Sequence, residues 1–164
     1  MSSIAHLSRR FVGSVSRRPV AVDDELWALS FLGGGERALW HRMNRADRRH
    51  AVVVGRRFAA ERGGDVDRAT VRPVMAAALL HDVGKVDGGL GTFGRVGATV
   101  WIRVAGRDRV QRGGGRIARY ARHEPLGAEL LVAAGSDPIT VALVGGTADA
   151  PADVLAALHA ADDI

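Results

Sequence analysis

The sequence contains no cysteine, which excludes disulfide bonds, thiolate nucleophiles and cysteine-type zinc sites. No apolar run approaches the roughly 18 to 20 residues that a membrane-spanning helix needs. Residues 1–19 are basic and rich in serine, and they lack the apolar stretch of a secretory signal. Together these absences predict a soluble, cytoplasmic protein without a transmembrane segment.

Lysine is nearly absent too, because Lys85 is the single lysine and arginine supplies the other basic side chains. The formal net charge is +5, yet residues 1–22 hold four arginines and no acidic residue, which leaves +1 for residues 23–164. A near-neutral domain gives no strong case for nucleic acid as a partner. We therefore predict a basic N-terminal arm at 1–22 and one domain at 23–164, a length that suits a single core.

The alternating pattern of a β-strand is also missing, and the chain reads as helices separated by glycine-rich breaks. Asp47 is placed to cap a helix that carries His50, and Asp137-Pro138 is placed to start a later helix. The three tryptophans are expected to fill the core between helices: Trp27, Trp40 and Trp101. These patterns predict an all-α fold.

One apolar helix runs directly into two ionisable residues. The segment Leu79-Leu80-His81-Asp82-Val83-Gly84-Lys85 places an imidazole and a carboxylate beside core residues. An unpaired buried charge is costly, and a divalent cation is one partner that removes this cost. Mixed imidazole and carboxylate ligands suit a transition metal such as Mn, Fe, Co, Ni or Zn. The His-Asp pair by itself is equally compatible with a helix C-terminal cap.

Two distant residues are candidates for the same cation. His50 shares its helix face with Val53 and Phe58, where a histidine at the edge of the core with a hydrogen-bond partner is the alternative. Asp162 follows Leu158 by four residues and Leu155 by seven, so it lies on the inward face of the last helix. An inward carboxylate at this position also needs a neutralising partner.

In this order, His50, His81-Asp82 and Asp162 resemble the ligands of the HD superfamily of metal-dependent phosphohydrolases. Residues 79–85 are similar to the family's LLHDIGK form, residues 122–131 to its HxxIGAELL form and residues 158–163 to its final helix ending in Ala-Asp. The likeness covers roughly residues 45–164. It implies an HD-domain-like helical bundle in which these four residues hold one divalent cation.

The chain departs from several branches of that superfamily. Two-metal members such as the HD-GYP cyclic-dinucleotide phosphodiesterases carry a His-His pair one helix after HxxIG, whereas Gly145 and Gly146 stand in that stretch here. The GYP motif is absent, and so is the Glu-Asp pair of the ppGpp-hydrolysing branch. Lys85 stands where the 5′-nucleotidase branch has a glutamate. His123 alone matches the second metal site, so one metal is expected.

The resemblance implies hydrolysis of a small-molecule phosphoester, a nucleotide or related metabolite. Asp82 or Asp162 is expected to orient or deprotonate the attacking water, and Lys85 to neutralise phosphate charge. His123 is expected to act as a general acid, to bind a second ion weakly or only to pack. Three arginines are candidates for phosphate contact: Arg57, Arg119 and Arg122.

Two other functions stay open from the sequence. One is a degenerate HD scaffold that binds a metal or nucleotide and regulates a partner without turnover, which the missing His-His pair favours. The other is a nucleic-acid-binding module that relies on the basic arm at 1–22. Metal content and turnover separate the first from a hydrolase, and deletion of the arm tests the second.

Overall fold

The protein is helical throughout the part of the chain that the structure describes. This computed structural model describes residues 19–62, 68–88, Ala98, Trp101 and 106–163, and the side chain of Arg119 is not among those described. Within these residues there is no β-strand, which confirms the predicted all-α fold class. Residues 1–18 of the predicted basic arm lie outside the described residues.

Nine α-helices and one 3₁₀ helix fall within the described ranges. They are α1 (Val22–Leu29), α2 (Gly34–Arg42), α3 (Arg45–Arg62), α4 (Arg68–Leu80), the 3₁₀ helix (Val83–Gly88), α5 (Arg107–Gln111), α6 (Gly115–Ala121), α7 (His123–Ala133), α8 (Pro138–Gly145) and α9 (Ala152–Asp162). Among these, no helix combines the length and the apolar character that a bilayer crossing requires.

Helix α4 forms the centre of the bundle. Every residue from Met75 to Leu80 is buried, and a helix that is apolar on all sides must be surrounded by other elements. Helices α3 and α8 pack against α4, α9 packs against α3, and α7 packs against both α8 and the 3₁₀ helix. The C-terminal end of α4 therefore reaches a point where α3, α7 and α9 are all close.

The tryptophans differ in their burial. Trp40 is fully buried and Trp27 is half-buried against Phe31, as the prediction of core tryptophans requires. For Trp101 the prediction is wrong, because its side chain is 56% exposed. It lines a cavity of about 270 Å³ at the surface together with residues of α5 and α6, so it faces solvent and not the core.

Polar side chains fix where two of the helices begin. The Asp47 backbone N–H donates to the side-chain oxygen of Asn44 at 2.9 Å, so Asn44 caps α3 and the prediction that Asp47 is the cap is wrong by three residues. The cap before Pro138 is confirmed, since Asp137 accepts a hydrogen bond from the Ile139 N–H at 2.8 Å. The start of α3 matters because His50 lies in its second turn.

Candidate metal centre

The end of α4 sets the orientation of the His81 ring. The helix stops at Leu80, and the chain turns through His81 and Asp82 into the 3₁₀ helix. The Nδ1–H of His81 donates to the Ala78 carbonyl at 2.9 Å, which satisfies one of the free carbonyls at the helix end. Because a carbonyl only accepts, Nδ1 carries the proton and the neutral ring has its lone pair on Nε2.

The Nε2 atom of His81 is buried and has no hydrogen-bond partner. It faces two carboxylates, at 3.5 Å from Oδ1 of Asp162 and 3.6 Å from Oδ2 of Asp82. These separations exceed the usual 2.7–3.2 Å of a protein N–H···O bond. A buried lone pair that faces two anions is unfavourable unless a proton or a metal cation lies between them.

Helices α3 and α9 bring the other two predicted ligands to this point. Nε2 of His50 donates to Oδ1 of Asp162 at 2.7 Å, and the His50 and His81 rings are edge-to-face with centroids 5.4 Å apart. Leu158 is buried one turn before Asp162, as its predicted inward face requires. Asp162 thus lies beside both imidazoles, and the donor atoms that form a group compact enough for a metal ion are those of His50, His81 and Asp82. We call the four residues that the sequence predicts as ligands the metal side: His50, His81, Asp82 and Asp162.

The distances within the metal side fit a bound transition metal. One donor atom each from His50, His81 and Asp82 lie within 4.8 Å of one another. Nitrogen and oxygen ligands bind zinc at 2.0–2.2 Å, so neighbouring donors in a four- to six-coordinate shell are about 2.9–3.5 Å apart. The 2.7–3.6 Å separations around Asp162 and His81 are close to this range. The residues therefore fit a divalent cation, and the donor set does not identify which metal.

A second group of polar residues lies on the other side of Asp82. Lys85 Nζ is 2.5 Å from Oδ2 of Asp82, and His123 Nε2 is 3.9 Å from Oδ1. The Nδ1–H of His123 donates to the Tyr120 carbonyl at 2.9 Å, so its Nε2 is the nitrogen that faces Asp82. Glu124 Oε1 lies 4.0 Å from the same Nε2. We call this group the lysine side: Lys85, Tyr120, His123 and Glu124.

Two glycines allow α7 to approach the turn that carries Asp82. A Cβ on Gly84 would lie 1.9 Å from the His123 carbonyl oxygen and 2.7 Å from the Gly127 nitrogen, which no side chain tolerates. A Cβ on Gly127 would meet Val83 and Val144 side chains at 3.4 and 3.1 Å. The missing side chain at position 84 therefore places the first turn of α7, and with it His123, beside Asp82.

Both carboxylates of the metal side are anionic at neutral pH. Burial raises the pKa of Asp82, but the Lys85 ammonium and the imidazoles of His81 and His123 outweigh it, so this pKa lies well below its ordinary value. Burial also raises the pKa of Asp162, and the hydrogen bond from His50 with the nearby His81 ring outweighs it, so this pKa is lowered as well. Two fixed negative charges favour a cation between them.

The three basic groups respond differently to these charges. Burial lowers the pKa of His81, but Asp82 and Asp162 outweigh burial and raise it above its ordinary value. Burial likewise lowers the pKa of Lys85, and Asp82 with Tyr120 raises it overall. For His123, burial and then the Lys85 charge lower the pKa, and together they outweigh Asp82. In this structure His123 therefore favours the neutral imidazole.

Of the three predicted phosphate-binding arginines, the two whose side chains the structure describes are not part of either group. Arg57 is exposed and donates to Glu61 at 3.1 Å, one turn along α3. Arg122 is an exposed residue just before α7. The side chain of Arg119 lies outside the described residues. Lys85 is thus the predicted phosphate contact that the structure places beside the four candidate ligands.

Sequence reasoning missed Tyr120 and Glu124 as neighbours of the site. Tyr120 precedes His123 by three residues, a spacing that places two residues on one face, whereas Glu124 directly follows His123 and its spacing gives no such signal. Gly84 belongs to the 79–85 segment that carries the His-Asp pair, but its close contact with α7 was not predicted, since that contact depends on tertiary packing.

Comparisons of the chain with protein-family models, curated proteins and solved structures find no match.

Proposed function

We propose that this protein is a metal-dependent phosphohydrolase of the HD type that hydrolyses the phosphoester of a nucleotide or related metabolite. The metal side would hold one divalent cation. The observation that carries the proposal is the buried Nε2 of His81, which has no hydrogen-bond partner and faces the carboxylates of Asp82 and Asp162. The ordered sequence motifs that resemble the HD superfamily support the choice of reaction.

A bound divalent cation would lower the pKa of a water molecule and polarise a phosphoryl group. The chain's own residues supply the rest of the site. The side chain of Asp162 is 38% exposed, which is more than that of the other three candidate ligands. Solvent and substrate therefore approach from its side. Its low pKa makes it an acceptor that orients a water molecule through a hydrogen bond.

Lys85 and His123 act on the opposite side of Asp82. The ammonium of Lys85 can exchange part of its contact with Asp82 for a phosphate oxygen, which needs a compensating positive charge. His123 favours the neutral imidazole, so to serve as the predicted general acid it would first take up a proton from the attacking water and then donate that proton to the leaving-group oxygen. Weak binding of a second ion and simple packing are the alternative roles predicted for this residue.

A metal-binding scaffold without turnover is the second candidate. The Lys85 ammonium lies 2.5 Å from Oδ2 of Asp82, the same oxygen that is 3.6 Å from His81 Nε2. This ion pair partly neutralises Asp82 and competes with a metal for that oxygen. Gly145 ends α8 and Gly146, with φ +60°, forms its left-handed cap, so that stretch serves the fold and contributes no imidazole.

The test is a metal-dependent activity screen. Protein stripped of metal and reloaded with Mn²⁺, Co²⁺, Ni²⁺ or Zn²⁺ is offered nucleoside mono-, di- and triphosphates and cyclic dinucleotides. We expect turnover of at least one class that needs the cation. His81→Ala should lower it by more than about 100-fold, since even residues that only orient a ligand cost 10- to 100-fold.

Asp162 and Asp163 give a matched pair of variants. Asp162→Asn removes a candidate ligand, whereas Asp163→Asn changes the exposed neighbour in the same way. The proposal requires loss of turnover in the first and normal turnover in the second. Stoichiometric metal with no turnover on any substrate class would favour the scaffold, and equal metal content in the two variants would contradict both candidates.

A further inference from the structure

Tyr120, on α6, lies close to both the Lys85 ammonium and the His123 imidazole of the lysine side. Its ring centroid lies 5.8 Å from Lys85 Nζ, within the range of a cation–π contact. The same ring is 6.1 Å from the His123 ring at an interplanar angle of 33°. Its backbone carbonyl accepts the Nδ1–H of His123 at 2.9 Å. One residue thus contacts the cation and orients the imidazole.

We propose that Tyr120 is a positioning residue whose aromatic ring holds the Lys85 ammonium against Asp82 while its carbonyl directs His123 Nε2 to the same carboxylate. The catalytic part of this role rests on the proposed function, because Lys85 matters for turnover only if a phosphate binds there. The structural part does not depend on turnover or on metal.

The need for a positioning group follows from the chemistry of lysine. Its side chain has four rotatable bonds, and holding it in one conformation costs rotamer entropy. An ion pair with Asp82 fixes the position of the ammonium only from the side of that carboxylate. The Tyr120 ring limits the side-chain conformations because its negative face attracts the ammonium from a second direction.

Amine labelling reports the contact directly, because Lys85 is the only lysine in the sequence. The full chain is treated with a small amine-reactive ester, and modification of Lys85 is followed by mass spectrometry with the chain's terminal amine as internal reference. We expect Tyr120→Leu and Tyr120→Met to raise the Lys85 labelling rate by about 3- to 10-fold relative to that reference. Tyr120→Phe keeps the ring and should label like the parent protein.

Ile117→Ala is the matched control on the same helix. Ile117 is 37% exposed and lines the surface cavity next to Trp101, so its truncation should leave the Lys85 rate unchanged. Thermal unfolding of each variant checks that a higher rate does not reflect a lost fold. If Tyr120→Leu or Tyr120→Met is destabilised, the better-folded of the two is the variant that decides.

A double-mutant cycle then tests whether Tyr120 acts through Lys85. For a substrate found in the activity screen, Tyr120→Leu should lower kcat/KM in the parent protein and have no further effect in Lys85→Ala. If the Lys85 labelling rate in both Tyr120→Leu and Tyr120→Met equals that of the parent protein, the positioning role is overturned. A faster Lys85 labelling rate in Tyr120→Phe would overturn it as well. A protein without turnover that still shows the labelling pattern would keep the contact and refute the proposed hydrolase.

Discussion

The two sides of the Asp82 carboxylate use the same residue types to opposite effect. On the metal side, the imidazole of His81 presents a buried nitrogen without a hydrogen-bond partner to two anionic carboxylates. On the lysine side, the imidazole of His123 lies next to a permanent ammonium that lowers its pKa. A histidine beside an aspartate therefore indicates a metal site only where no charged side chain such as the Lys85 ammonium already lies beside that histidine.

The largest expected effect comes from breaking the ion pair between Asp82 and Lys85, which joins the two sides. Asp82→Asn leaves the Lys85 ammonium without its carboxylate, and removal of one partner of a buried pair costs about 3–5 kcal/mol of unfolding free energy. Urea denaturation measures the change. The double variant Asp82→Asn with Lys85→Met should recover most of the loss, because it removes both charges. A single variant within about 1 kcal/mol of the parent would show that this pair contributes little.

The second prediction concerns the metal side. At a free cation concentration 100 times Kd, binding should stabilise the folded protein by about 2.7 kcal/mol. His81→Ala should remove this gain, whereas His123→Ala should keep it, because His123 lies across Asp82 from the other candidate ligands. Thermal unfolding with added cation and with chelator measures both. Equal loss in the two variants would mean that one site spans both sides.

A substitution at Gly84 tests how the two sides are brought together. Gly84→Ala forces the Cβ to within 1.9 Å of the His123 carbonyl, and the shift of α7 should cost about 1–3 kcal/mol. Gly34→Ala is the matched control, since a Cβ there meets nothing within 4 Å. Urea midpoints compare the pair. Indistinguishable midpoints would contradict the close contact between the 3₁₀ helix and α7.

The smallest expected effect is the pH dependence of the metal-free protein. The raised pKa of His81 adds stability below about pH 6.5 that is lost as the pH rises through the folded pKa, while the lowered pKa values of Asp82 and Asp162 add stability above about pH 4. The lowered pKa of His123 has the opposite sign, since it removes stability as the pH falls below about 6.5, and it offsets part of the His81 contribution. Metal-free protein should therefore gain stability as the pH rises through about 4 and change little around pH 6.5. A bound cation needs neutral imidazole, so the stability that metal adds should rise with pH. Melting temperatures across pH, with and without chelator, give the answer.

Much of the candidate centre follows from sequence pattern alone. His81 and Asp82 stand out because they end an apolar run, and Asp162 because it repeats the spacing of Leu158 on the last helix. The helices were predictable for the same reason, since glycine pairs and capping residues punctuate them. These signals are local, and the residue types carry them without knowledge of the packing.

The missed features depend on contacts between helices or on competing partners. Arg57 is predicted to contact phosphate, but Glu61 one turn away accepts its hydrogen bond. Trp101 is predicted to fill the core because of its size, yet it is 56% exposed. The roles of Tyr120 and Gly84 depend on how closely α6 and α7 approach the 3₁₀ helix, which no periodicity in the sequence encodes.

The most direct test of the central claim is the ligand environment of a cobalt- or manganese-loaded protein, measured by X-ray absorption together with the metal content. If the metal side binds a cation, we expect about one metal per chain, with two imidazole ligands and oxygen for the remainder. One imidazole ligand should be lost in His50→Ala and likewise in His81→Ala. Protein that takes up no metal, or metal whose ligands are unchanged in both variants, would contradict this claim.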